Sequence, residues 1–221
     1  MLVEVWSDVV CPWCYIGKRR FETALRAFDG AADVEVVWRS FMLNPEQPKG
    51  AVDDHDTYLA RKMGASHEQI AEMNARVTSL AAAEGLDYHL ETCKVINTMD
   101  AHRVLHLATS LGVGTQAHER LLRAQLVEGQ LLEDPGTLVR LAVEVGVPEA
   151  RAREVVGSDA FTAEVVADLE EAQALGIHGV PFFVFDRQYG VSGAQAVETF
   201  VSVLERLRSE AAARPKPQGQ A

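Results

Sequence analysis

The chain has 221 residues, of which 48% are hydrophobic and 24% charged. This composition is typical of a globular protein with a sizeable core and excludes a disordered or fibrous protein. Its 21 Lys and Arg stand against 32 Asp and Glu, a formal net charge of −11 that opposes binding to nucleic acid. It has neither the ~18 to 20 consecutive apolar residues of a membrane span nor a recognisable secretion signal after Met1. We therefore expect a soluble, cytoplasmic protein with no membrane or nucleic-acid partner.

The first forty residues predict a β-α-β unit. Residues 2–6 form a short, alternating, β-prone segment, and a Cys-Pro-Trp-Cys motif follows at residues 11–14. Apolar residues then recur at helical spacing until about residue 30, and Pro12 suits the first turn of that helix. A second strand at residues 34–39 completes the unit. The pattern places Cys11 at or just before a helix N-terminus.

The rest of the chain predicts a helical middle followed by a second β-containing part. Residues from about 53 to about 175 are rich in Ala, Leu and Glu with helical periodicity, interrupted by Gly and Pro. A β-hairpin at 182–185 and 189–192 and a final helix through Leu207 follow. We therefore predict an α/β fold whose sheet-forming parts, 1–48 and 161–211, surround an all-helical insertion at 49–160, with a flexible tail at 212–221.

The three cysteines suggest chemistry more than structure. They are too few for a disulfide scaffold, and pairing Cys11 with Cys14 leaves Cys93 over. Because cytoplasmic thiols are kept reduced, a pair three residues apart indicates catalysis, redox sensing or metal binding. A chance pair of buried cysteines remains an alternative, and so does a zinc site, although zinc would need further ligands from the insertion. We predict no metal.

A dithiol between a strand and a helix suits disulfide exchange. The helix N-terminus offers unpaired N–H groups and partial positive charge, which favour a thiolate at Cys11. Cys11 would attack a disulfide and Cys14, one turn further along, would resolve the mixed disulfide. Pro12 and Trp13 between them would fix the turn and influence the reduction potential.

Four blocks of sequence carry a resemblance to a known family: residues 8–17 around the dithiol, 41–45 after the second strand, 97–103, and 176–183. Through these blocks the chain resembles the DsbA-like branch of the thioredoxin superfamily, and within it the cytoplasmic FrnE-like subgroup. This implies a thioredoxin-like fold with a large helical insertion and the activity of a protein-disulfide oxidoreductase. It also implies a cis bond between Val180 and Pro181, with the Val180 backbone beside Cys11 where an extended substrate could pair. From spacing alone, a trans bond opening the next strand is equally acceptable.

The same resemblance extends to 2-hydroxychromene-2-carboxylate isomerases and kappa-class glutathione transferases, which gives an alternative function. Those relatives bind glutathione and usually carry serine at the position of Cys11, with no second cysteine. They also have an acidic residue where this chain has residues 193–195, Gly-Ala-Gln. We therefore predict no cofactor beyond the redox-active Cys11–Cys14 pair. A glutathione-dependent isomerase or transferase acting on an aromatic small molecule is the alternative.

Other residues are weaker candidates. Asn44, His102 and His178 are candidate substrate contacts, although His102 could equally be a buried histidine between helices. Cys93 is expected to be a small buried filler more often than a third redox thiol. Residues 53–56 are expected to form an acidic helix start, and Trp6 and Trp38 to be core, with Trp13 partly exposed. The expected partner is a disulfide- or dithiol-containing protein or small molecule, and the protein would be a monomer or homodimer.

Overall fold

A computed structural model describes residues 1–213. Its strands are β1 (Leu2–Ser7), β2 (Glu35–Ser40), β3 (Asp53–Asp54), β4 (Lys94–Val95), β5 (Phe182–Phe185) and β6 (Tyr189–Ser192). Its α-helices are α1 (Pro12–Ala27), α2 (His55–Met63), α3 (His67–Ala83), α4 (Met99–Ser110), α5 (Gly114–Leu126), α6 (Pro135–Glu144), α7 (Glu149–Val156), α8 (Thr162–Ala174) and α9 (Val197–Ala213). No helix in this described part is both long and apolar enough to cross a membrane.

The main sheet joins the two ends of the chain. Its strand order is β2-β1-β5-β6, with β1 parallel to β2 and antiparallel to β5. Residues 186–188 connect β5 to β6, and Asp186 and Arg187 both have positive φ, as tight hairpin turns require. The Asp186 carboxylate accepts a hydrogen bond from the Leu2 backbone at 2.6 Å, which ties this turn to the start of β1. The α/β fold with a helical insertion is confirmed.

One face of the sheet packs on α1 and α9, and the other packs on α8. On the first face Phe21, Phe183 and Phe200 are fully buried, with ring centroids 4.7 to 5.6 Å apart. On the second face Trp6 is fully buried, and its indole N–H donates to the Asp168 carbonyl at 3.0 Å. Trp38 was expected in the core but is only partly buried, because β2 is an edge strand of the sheet.

The regular elements of the insertion are helices, apart from one short pair of strands and one 3-10 turn at Leu90–Thr92. Strands β3 and β4 pair antiparallel over two residues each, which corrects the prediction of an all-helical insertion. These strands are too short to show the alternation by which a strand is recognised in sequence. The expected helix start at residues 53–56 is confirmed, since Asp54 caps α2 by accepting a hydrogen bond from Thr57 N–H.

The division into sequence domains remains a prediction. Helix α8 covers the sheet and also packs on α4 of the insertion, so the two parts are in direct contact there. Helix α9 continues through Ala213, two residues into the predicted tail, and residues 214–221 of that tail lie outside the described residues.

Candidate active site

The two cysteines of the motif lie at the start of α1. Cys11 is the N-cap residue and Pro12 the first helical residue, where a missing N–H costs no helical hydrogen bond. The first turn contains no acidic side chain, so nothing on the helix opposes the positive end of its dipole. Both cysteines are buried, with Cys11 4% and Cys14 1% exposed. The structure thus brings the predicted pair together at a helix N-terminus.

The environment of Cys14 keeps it protonated. Burial raises the pKa of its thiol well above the ordinary value, and the adjacent Cys11 raises it further. Hydrogen bonds from the Ser7 hydroxyl and the Asp8 backbone lower the pKa of Cys14 in part. In the resting dithiol, Cys14 is therefore a thiol at neutral pH.

The loop before β5 lies directly against the dithiol. The Val180–Pro181 peptide bond is cis, and the Cys11 thiol donates to the Val180 carbonyl at 3.5 Å. Helix α1 approaches this loop closely at Gly17, where a Cβ atom would lie 2.8 Å from Pro181 Cγ. Only glycine fits at that contact without a shift of the helix or the loop.

Replacing Gly17 with alanine should therefore destabilise the protein. Gly→Ala inside a helix by itself stabilises by about 1 kcal/mol, whereas overpacking costs about 1–3 kcal/mol. We expect a net loss of up to about 2 kcal/mol in urea unfolding. The control is Gly136→Ala in α6, where the nearest atom to a new Cβ is an Asp134 side-chain oxygen at 3.3 Å, further than the 2.8 Å between Pro181 Cγ and a Cβ at residue 17. A stabilised Gly17→Ala protein would show that the α1–loop contact is not tight.

A cavity of about 640 Å³ opens in front of Cys11; we call it the dithiol cavity. Its near wall is the motif and the loop at Val180, and its far wall is α2, α3 and the segment around Cys93. The lining is largely apolar, with a few polar side chains. Apolar side chains that line it include Leu43, Leu59, Met63, Met73, Val77, Ile96 and Leu126, and polar ones include Asn44, His55, Lys62, Asn74, Lys94 and Gln125. A cavity of this size and lining is typical of a binding site for a small molecule or a side chain.

The predicted support residues reach this cavity to different extents. Pro12, Trp13 and Asn44 line it, and Trp13 is 39% exposed, as expected. His102 does not line it and is buried, 3.3 Å from the buried Asp8 carboxylate. His178 is exposed and does not line it either. Substrate contact by His102 and His178 stays a prediction, which this placement does not favour.

Cys93 is buried and shares the dithiol cavity with Cys11. Its thiol donates to the Gln125 carbonyl at 3.1 Å, and burial raises its pKa to about 12. It is therefore a thiol at neutral pH, as a filler residue would be. Within residues 1–213 no three His, Cys, Asp or Glu side chains converge in a geometry that could hold a metal ion.

Sequence analysis missed two groups beside the dithiol. The Tyr88 hydroxyl donates to the Pro12 carbonyl at 2.6 Å, which fastens the motif to the segment after α3. The Asp8 carboxylate accepts from the Leu43 backbone N–H at 2.8 Å and so fixes the loop after β2. Asp8 belongs to the block at residues 8–17 around the dithiol, so its sequence position was a usable signal. Tyr88 lies in none of the four blocks, so the sequence contained no signal for it.

The fold and the site together define a thioredoxin-like protein with a dithiol at the N-terminus of its first helix. The chain belongs to the DSBA-like thioredoxin domain family, whose sequence model matches residues 2–205. The resemblance to the DsbA-like branch is thereby confirmed, and it supports disulfide oxidoreduction as the general class of activity.

Three known proteins show how far the likeness extends. A probable DsbA oxidoreductase from Streptomyces coelicolor is 42% identical, with a TM-score of 0.92 over 100% of this chain and 94% of that one. The uncharacterised protein YwbO of Bacillus subtilis (strain 168) is 26% identical over 204 residues, 90% of this chain and 95% of its own. The cytosolic disulfide reductase DsbM from Pseudomonas aeruginosa is 20% identical, with a TM-score of 0.64 over 95% of this chain and 100% of its own, which shows the shared fold.

Proposed function

We propose that this protein is a thiol-disulfide oxidoreductase in which Cys11 is the nucleophile and Cys14 the resolving thiol. The observation that supports this assignment is that the two cysteines differ in their access to the dithiol cavity. Cys11 lines the dithiol cavity at the end of a helix, whereas Cys14 lies behind it and does not line the cavity. A substrate in the cavity can therefore meet the Cys11 sulfur, and only Cys11 presents Cys14 with a sulfur to attack.

The exchange proceeds in two balanced steps. The Cys11 thiolate attacks one sulfur of a substrate disulfide; that S–S bond breaks, and the other sulfur leaves as a thiolate. Cys14, losing its proton, then attacks Cys11 Sγ, which forms the internal disulfide and releases the second substrate thiolate. The substrate is reduced by two electrons and the dithiol is oxidised by two. The reverse sequence oxidises a substrate dithiol.

The backbone at Val180 supports this proposal as a docking edge. Its carbonyl already accepts the Cys11 thiol, so an extended segment paired with this backbone would bring its own sulfur to Cys11. The substrate is a disulfide-containing protein or small molecule. The dithiol itself supplies the two electrons, so the proposal requires no cofactor. The cytosolic location of DsbM, which has a similar fold, supports a cytoplasmic location for this protein.

The alternative function is a glutathione-dependent isomerase or transferase. The apolar lining of the dithiol cavity is consistent with it, because such a lining suits an aromatic substrate. Such an enzyme would use the cavity for an aromatic substrate and would not need a second thiol. The presence of both Cys11 and Cys14 favours disulfide exchange.

Replacing Cys11 with serine should abolish disulfide reduction. A serine hydroxyl does not attack a disulfide at neutral pH, so we expect the rate of protein-disulfide reduction with a thiol reductant to fall by at least about 100-fold. The matched control is Ser209→Ala on the exposed side of α9, which should keep the rate within about twofold. Retention of glutathione-dependent isomerisation by Cys11→Ser, with no disulfide reduction in the unmodified protein, would favour the alternative.

A further inference from the structure

Resolution of the mixed disulfide requires Cys14 to lose a proton in a place with no direct route to water. Cys14 is 1% exposed and lies behind Cys11, outside the dithiol cavity. A thiol is a poor nucleophile, so the second step needs a group that accepts this proton.

A buried pair of side chains lies behind Cys14. Ser7, at the end of β1, hydrogen-bonds through its hydroxyl to Cys14. The same hydroxyl lies 3.0 Å from Nε2 of His118, on α5. Ser7 is 1% and His118 2% exposed, so all three side chains, Cys14 included, are buried inside the protein.

We propose that Ser7 and His118 form a proton relay that deprotonates Cys14 when it attacks the mixed disulfide. The Cys14 proton passes to the Ser7 oxygen as the Ser7 proton passes to His118 Nε2. The S–S bond between Cys11 and the substrate then breaks, the Cys14–Cys11 bond forms, and the substrate leaves as a thiolate. Ser7 touches the reacting thiol, while His118 acts through Ser7. The inference depends on the proposed dithiol exchange.

The electrostatics around His118 suit an acceptor that is neutral at rest. Burial lowers the pKa of His118 well below its ordinary value; Lys18 and His102 lower it further, and Glu119 opposes them. The imidazole is therefore neutral at rest, and in the tautomer with its proton on Nδ1 its Nε2 lone pair accepts the Ser7 hydroxyl proton. The charged or titratable neighbours around it are Lys18 on α1, His102 and His106 on α4, Glu119 on α5 and Arg39 on β2.

The state of Cys11 helps to time the transfer. Cys11 raises the pKa of Cys14 through both its charge and its hydrogen bond. When Cys11 is bonded to a substrate sulfur, its thiolate charge is gone and that contribution is lost. The hydrogen bond from the Asp8 backbone, which lowers the pKa of Cys14, remains. Cys14 is therefore easier to deprotonate in the mixed disulfide than in the free dithiol.

A small cavity offers the proton an onward route. It has a volume of about 10 Å³, enough for about one water molecule, and is lined by Ser7, Trp38, His106 and His118 among others. His118 Nδ1 and Trp38 Nε1 are buried and have no hydrogen-bond partner within residues 1–213. The His106 side chain, 19% exposed, connects this cavity to the surface.

The test follows the two steps separately with dithiobis(nitrobenzoate), an aromatic disulfide whose released thiolate is coloured. At less than one reagent per protein, attack by Cys11 gives the first release and attack by Cys14 gives the second. His118→Gln keeps a hydrogen bond to Ser7 but cannot take a proton. We expect the second phase to slow by about tenfold or more, with the first phase within about twofold of the unmodified protein. Between pH 7 and 9 the rate of the second phase in the variant should rise about tenfold per pH unit, because hydroxide must replace the relay. This rise should be steeper than in the unmodified protein.

Ser7→Ala removes a single oxygen atom and gives an independent second variant. It should also slow only the second phase. An unchanged second phase in both variants, or an equal slowing of both phases with an unaltered pH profile, would overturn the relay. Absence of any Cys11-dependent first phase would instead overturn the proposed function, so the two failures are distinguishable.

Discussion

Replacement of Cys14 by serine should stop the exchange half-way, with the substrate covalently held on Cys11. Serine is close to cysteine in size, so the buried position should stay filled. Its hydroxyl cannot attack a disulfide, and the buried site admits no other thiol to Cys11 from that side. We expect steady-state disulfide reduction to fall by about 100-fold or more. Mass spectrometry after mixing with a disulfide-bonded peptide should show one adduct per chain, removed by reductant.

Two comparisons sharpen this result. The unmodified protein should show no lasting adduct, because Cys14 resolves it, and Cys11→Ser should form none. Turnover retained by Cys14→Ser would contradict the assignment of the resolving thiol. Cys93, the other cysteine that borders the dithiol cavity, would then be the candidate resolving thiol.

Replacing Phe200 with alanine should cost about 3–5 kcal/mol of the free energy of unfolding. The Phe200 ring is fully buried and packs against Phe21 of α1 and Phe183 of β5, so its removal leaves a cavity between the sheet and two helices. Urea unfolding followed by circular dichroism measures the change. An effect below about 1 kcal/mol would mean that α9 is not part of the cooperative core.

The matched control is Leu175→Ala at the end of α8. This side chain is 47% exposed, so truncation removes little buried surface. We expect a change within about 0.5 kcal/mol. The pair therefore compares two large-to-small substitutions that differ in burial.

The parts of the site that sequence could predict are those determined by local pattern. The dithiol motif, the helix that begins at Pro12 and the hairpin after Pro181 each depend on a few consecutive residues. The contact of Cys11 with Val180 was reached only through family resemblance, since 169 residues separate them.

The parts that sequence could not predict depend on contacts between distant side chains. His118 looks like any histidine on an amphipathic helix, and only the fold places it beside Ser7, 111 residues away. Tyr88 likewise meets Pro12 across 76 residues. The residues that line the dithiol cavity are scattered over most of the chain, so the sequence alone does not show that they are neighbours.

The register of the central strands has a consequence for biosynthesis. Val3 lies opposite Phe185, and Trp6 opposite Phe182, so β1 gains one of its two neighbours only from β5, far along the sequence. On the ribosome, Cys11 and Cys14 emerge well before the Val180 loop, which follows Cys11 by 169 residues. Nascent chains therefore carry a dithiol that the Val180 loop does not yet cover.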